Sequence, residues 1–117
     1  MTDEALAIDG IDTMGGLRRL GGKRERYEAL LRKFADKQAT TVVVVRAALA
    51  NGDLATAQRD LHSLKGAAAS LGANALAEAV ANAEHCLQAG HESDAGLRRL
   101  ETALDSVVHA IRSKLSG

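Results

Sequence analysis

The chain of 117 residues has no proline, no tryptophan and a single cysteine, and its only aromatic side chains are Tyr27 and Phe34. Without proline, no helix is forced to stop or kink. With two aromatics, the core has to be built from leucine, valine and alanine, which suits closely packed helices better than a deep ligand pocket. A lone Cys86 excludes an internal disulfide. Beside the apolar Leu87 it is expected to be a buried, inert thiol. Basic and acidic residues stand at 15 each. The chain therefore lacks the basic excess usual in nucleic-acid and acidic-membrane binders, and neither partner is expected. No segment approaches the ~20 apolar residues of a membrane span. The acidic opening Met1-Thr2-Asp3-Glu4 is not followed by the apolar run of a secretory signal. A single domain over 1–117, in a reducing and cytoplasmic setting, is the expectation.

What the chain does contain is helical periodicity. Leu6, Ile8 and Ile11 are expected to cover one end of a bundle. Asp12 or Thr13 is placed to cap a short helix reaching about Leu20, with Met14, Leu17 and Leu20 turned inward. A second helix from near Lys23 carries Tyr27, Leu30, Leu31 and Phe34 on one side. The run Thr40 to Val45 favours a strand by β-branched propensity, yet a lone strand would leave its backbone groups unpaired. Val42, Val45 and Leu49 keep helical spacing, so 38–50 is predicted as helix, ended by Asn51-Gly52. Asp53 then caps a helix with the seam Leu54, Ala57, Leu61, Leu64, Ala68 and Leu71, ended by Gly72. Asn74 opens a helix with the seam Leu76, Val80, Ala83 and Leu87, closed by Gly90. A last helix, with Ser93 as its cap, carries Leu97, Leu100, Leu104, Val107, Ile111 and Leu115. Long helices joined by short glycine-containing turns imply an all-α fold: an antiparallel four-helix bundle with a short extra N-terminal helix.

One helix face carries chemistry. His62 follows the seam residue Leu61 and so lies about 100° around the helix from the buried stripe. Lys65 and Gly66, three and four residues on, share its face. Glycine inside a helix costs roughly 1 kcal/mol relative to alanine, and Ala67, Ala68 and Ala69 show that alanine is freely used here. The bare position at 66 suits close approach of a partner's backbone beside His62; a tight crossing by another helix, or simple tolerance of one glycine, is the alternative. An imidazole, an ammonium and exposed backbone on one wet face suit a carrier of phosphoryl groups.

The stretch His62-Ser63-Leu64-Lys65-Gly66-Ala67-Ala68-Ala69-Ser70-Leu71-Gly72-Ala73 closely resembles the signature of histidine-containing phosphotransfer (HPt) domains. Gly16 through Gly22, Tyr27, Leu30-Leu31 and Phe34 resemble the amino-terminal half of bacterial members. Asn51-Gly52-Asp53 and Leu76 through Glu84 fit as well, so the resemblance spans essentially the whole chain. It implies a four-helix bundle relaying phosphoryl groups between aspartates of response-regulator receiver domains, as a free shuttle or as the terminal domain of a hybrid sensor kinase. By the motif, His62 is the phosphorylated residue. Lys65 falls on the family's phosphate-neutralising lysine, Gly66 on its access glycine, and Glu84 where the family often places a polar partner for the ring. Leu61 replaces an alanine common before the histidine, and Ala83 replaces a commoner leucine.

The chemistry is consistent with these assignments. A neutral imidazole is a good nucleophile toward an acyl phosphate. With Nε2 attacking, as in the family, Nδ1 carries the proton and needs an acceptor. Glu84 is the candidate; one more solvated acid is the alternative reading. Lys65, otherwise an ordinary surface lysine, would offset phosphoryl charge. Arg59, Gln58 and Ser70 are partner-contact candidates, with Arg59 also placed to assist. No cofactor is expected, nor a metal, since Glu84-His85-Cys86 point in different directions on a helix. A monomer without its own nucleotide site is expected. The competing classes are a docking module without chemistry, an oligomeric bundle and a metal-binding bundle.

Overall fold

The computed structural model describes residues 7–90 and 94–115. Leu6 and the proposed cap Ser93 lie outside the described residues. Among the described residues the chain forms six helices: α1 (Thr13–Arg19), α2 (Arg24–Gln38), α3 (Thr41–Ala50), α4 (Leu54–Leu71), α5 (Asn74–Gln88) and α6 (Asp94–Leu115). No strand occurs among them, only an isolated bridge between Ile8 and Ile11. Helices α4, α5 and α6 pack in sequence. The fourth side is made by α2 and α3 together, each packing against α4 and α6. Helix α1 sits across one end, against α4 and α2.

The predicted seams form the core. Ala57, Leu61, Leu64, Ala68 and Leu71 of α4 are buried against Leu76, Val80, Ala83 and Leu87 of α5, and Leu97, Leu100, Leu104, Val107 and Ile111 close the bundle from α6. Ile8 is buried as expected of an end cover. Several positions differ from their sequence reading. Leu54 is the first residue of α4 and is exposed. Met14 is 65% exposed; Gly16 is buried in its place, because a bare α-carbon lets α1 press directly onto Tyr27 and the Leu71 carbonyl. Leu30 stands at the edge of the α2 stripe and is partly exposed. Cys86 is half-buried rather than enclosed.

The run of β-branched residues is helical, as spacing required, but its helix starts at Thr41 and not at residue 38. Gln38 ends α2, and Ala39 and Thr40 separate the two helices. Both polar side chains at this joint are buried; the Thr41 hydroxyl donates to Gln38 Oε1, which satisfies them inside an apolar setting. Val42 and Val45 face inward, whereas Val43 and Val44 are exposed. Arg46 ties α3 to the start of α6 through a 2.8 Å hydrogen bond to Asp94. That bond holds the Asp94 carboxyl below its ordinary range.

Helix ends are fixed by named groups. Asp53 Oδ1 accepts from the Thr56 amide at 3.1 Å, capping α4 as predicted. At the other end Gly72 adopts φ +91°, a left-handed conformation natural to glycine. Its carbonyl accepts from the Asp12 amide at 2.7 Å. The buried Tyr27 hydroxyl donates to the Leu71 carbonyl at 2.6 Å, and Arg19 Nη1 donates to the Ala69 carbonyl at 3.1 Å. The last carbonyls of α4 are thus satisfied by α1, α2 and the segment before α1, with a cation at the negative end of the helix dipole.

Two outcomes follow from this junction. A Cβ at position 72 would run into the Asp12 carbonyl oxygen as well as forcing a disfavoured φ. Gly72→Ala should therefore lower the unfolding free energy by more than about 1 kcal/mol in denaturant titration. The second concerns Tyr27. Burial first, and the Asp12 carboxylate second, push its phenol up from 10.0 to about 12 against the pull of Arg19. The folded state holds this proton more tightly than the unfolded state. The stabilisation is complete below pH 10.0 and disappears as pH rises toward about 12. Because Tyr27 is the only tyrosine, ultraviolet tyrosinate absorbance should rise together with loss of helical circular dichroism in an alkaline titration.

Candidate functional site

The orientation of His62 follows from the packing of α4. Leu61 and Leu64 are both fully buried. Burying a leucine side chain contributes about 1.5–3 kcal/mol, so turning α4 enough to hide residue 62 would cost both contributions. His62 is consequently on the solvent side, with its side chain 75% exposed. On α5 the same logic applies to Ala83 and Leu87, which are buried and bracket Glu84. Glu84 leans into the α4–α5 interface, and its side chain is only 13% exposed.

Three side chains meet there. His62 Nδ1 lies 3.5 Å from Glu84 Oε2, and Lys65 Nζ lies 3.2 Å from Glu84 Oε1. The carboxylate thus faces the ring with one oxygen and the ammonium with the other. Oε1 is buried and has no hydrogen-bond partner among the described residues; the Lys65 cation beside it balances its charge. The 3.5 Å separation at Nδ1 is wider than a good hydrogen bond, so the carboxylate is a loose neighbour of the ring rather than a tight partner. With Nδ1 turned to Glu84, Nε2 on the opposite side of the imidazole faces away from that carboxylate.

Gly66 answers a question the sequence left open. A Cβ built there would meet nothing within 4 Å, so no neighbouring helix demands the missing side chain. The glycine leaves an exposed gap on the His62 face. The remaining candidates are not gathered around the ring. Arg59 is turned to its neighbour Asp60, 3.8 Å away. Gln58 is half-buried and has no polar contact with the ring. Ser70 lies farther along α4, where it lines a groove against α2 with Leu30, Lys33 and Lys37. Those α2 residues were not among the sequence candidates, since only the packing of α2 on α4 brings them beside the face of His62.

The tautomer of the ring offers a direct check. A carboxylate at Nδ1 favours the Nδ1–H form of the neutral imidazole. In Glu84→Ala, nitrogen NMR shifts of His62 should move toward the Nε2–H form, while wild type keeps its proton mainly on Nδ1.

No curated protein and no solved structure matches the chain. Comparison with protein families matches residues 29–114 to the Hpt domain. That span runs from within α2 into the last turn of α6 and includes His62, Lys65, Gly66 and Glu84. An exposed helical histidine on an all-α bundle and this match lead to one assignment: the chain belongs to the Hpt domain family, the histidine phosphotransfer proteins of phosphorelays.

Proposed function

We propose that His62 is the phosphorylated residue, taking a phosphoryl group from an aspartyl phosphate of one receiver domain and passing it to an aspartate of another. The supporting observation is an exposed ring whose Nδ1 is set against the Glu84 carboxylate, leaving Nε2 as the nucleophile. The Nε2 lone pair attacks phosphorus; the N–P bond forms as the P–O bond to the aspartate breaks, and the aspartate leaves as a carboxylate. The proton on Nδ1 stays in place, and the positive charge gained by the ring is offset by Glu84 Oε2. Donation to the second receiver is the same step reversed.

Lys65 has two partners in this scheme. Without phosphate its ammonium balances Glu84 Oε1; once a phosphoryl group arrives, a flexible lysine swings toward the equatorial oxygens as a point charge. Gly66 admits the receiver's backbone close to the ring. Arg59, Gln58 and Ser70 belong to the surrounding contact surface rather than to the transfer step. The domain is a phosphocarrier, and the phosphoryl group enters and leaves on receiver domains. No helix among the described residues is long and apolar enough to cross a membrane. We place the domain in the cytoplasm, working as a free shuttle or within a hybrid sensor kinase.

Incubation with a phosphorylated receiver domain should label wild type with acid-labile, base-stable phosphate and leave His62→Gln unlabelled. Equal labelling of the variant would overturn the proposal. Gly66→Leu should fold normally, because the space beside residue 66 is open. Its rate with a receiver donor should fall by roughly 10–100-fold, as expected when reacting atoms are held about 1 Å too far apart. Labelling by the small donor phosphoramidate should be little changed.

A further inference from the structure

The neutral total conceals a segregation of charge. Residues 18–37 hold eight lysines and arginines against three acidic residues, whereas the rest of the chain holds seven against twelve. Two of those three acids are already engaged: Glu28 pairs with Arg24 and Arg32, and Asp36 faces Arg112 of α6. Lys33 and Lys37 pair with none of them. They stand one helical turn apart on the exposed side of α2.

These two lysines border a shallow groove of about 240 Å³ between α2 and α4. Leu30 and Phe34 supply its apolar wall from α2; Ala67 and Ser70 form the opposite wall. Ala67 immediately follows Gly66, and Ser70 is one turn beyond it, so the groove opens directly beside the bare patch next to His62. An apolar floor with a single-sign rim is the form of a surface that takes an amphipathic element of opposite charge.

We infer that Lys33, Lys37 and the Leu30–Ala67 groove form the specificity edge of this domain, selecting receiver domains whose docking element presents an apolar ridge flanked by acidic residues. The inference rests on phosphotransfer at His62. It assigns the α2 side of α4 to recognition, and the α5 side, with Glu84 and Lys65, to chemistry. Separated in this way, partner choice changes by substitution on α2 without disturbing the ring. The contribution acts mainly on encounter, because rim charges steer association and are screened by salt.

The test uses the full chain and a panel of purified receiver domains, phosphorylated beforehand and ordered by the net charge flanking the apolar ridge of their docking element. Wild type should accept phosphate fastest from the most acidic receivers, with rates that fall as salt is added. Lys33→Glu combined with Lys37→Glu should lower kcat/KM for those receivers by about tenfold or more, with rates that no longer fall as salt is added. Arg99→Glu, on the exposed side of α6, should change neither. Labelling by phosphoramidate should be equal in all three proteins, which separates recognition from chemistry. If the double variant keeps wild-type rates and salt dependence with every receiver while phosphoramidate still labels His62, the specificity edge is wrong and the phosphotransfer reading stands. If no donor labels His62, both fall.

Discussion

A single carboxylate set between two helices organises the working face of this protein. Glu84 comes from α5, yet both of its charged neighbours, His62 and Lys65, come from α4. A carboxylate so far removed from water is costly unless a cation stands beside it, and Lys65 meets that need. The other oxygen of the same carboxylate stands 3.5 Å from Nδ1 of the imidazole. Any change in the α4–α5 packing would therefore alter both contacts of this carboxylate together.

The rest of the fold holds that interface still. The C-terminal end of α4 is locked by the Tyr27 hydroxyl, the Arg19 guanidinium and the Asp12–Gly72 backbone bond; its N-terminal end is held by the Asp53 cap. Fixed at both ends, α4 resists the rotation or sliding that would misplace residue 62. With only two aromatic side chains in the chain, one of them is used at this junction, where a rigid ring with a polar tip reaches a helix end that no aliphatic residue satisfies.

The two sides of α4 differ in character. Toward α5 the surface is polar and charge-balanced around Glu84. Toward α2 it is an apolar groove bordered by Lys33 and Lys37. Gly66 lies between them in open space. One helix thus presents a charged side to α5 and an apolar side to α2, with His62 exposed on the face between them.

Much of this was legible in the sequence because it depends on local rules. Periodicity located the seams of α4, α5 and α6; the Asp53 and Gly72 signals bounded α4; and the offset of His62 from Leu61 put the ring outside. The β-branched run at 42–45 was settled as helix by the need to pair backbone groups. Other positions were beyond such rules. Met14 and Leu54 match a helical apolar pattern yet stand near helix starts and are exposed among the described residues. The joint at Ala39 and Thr40 carries no proline or glycine to announce it. That Gly66 faces open space, that Glu84 reaches across to His62 and Lys65, and that Lys33 and Lys37 flank the same helix depend on distances between segments far apart in the chain. A 3.6-residue repeat is enough to tell which face of each helix is apolar, because that pattern is local; which helix each polar face meets depends on how the buried faces pack against one another, and so becomes visible only once the chain is folded.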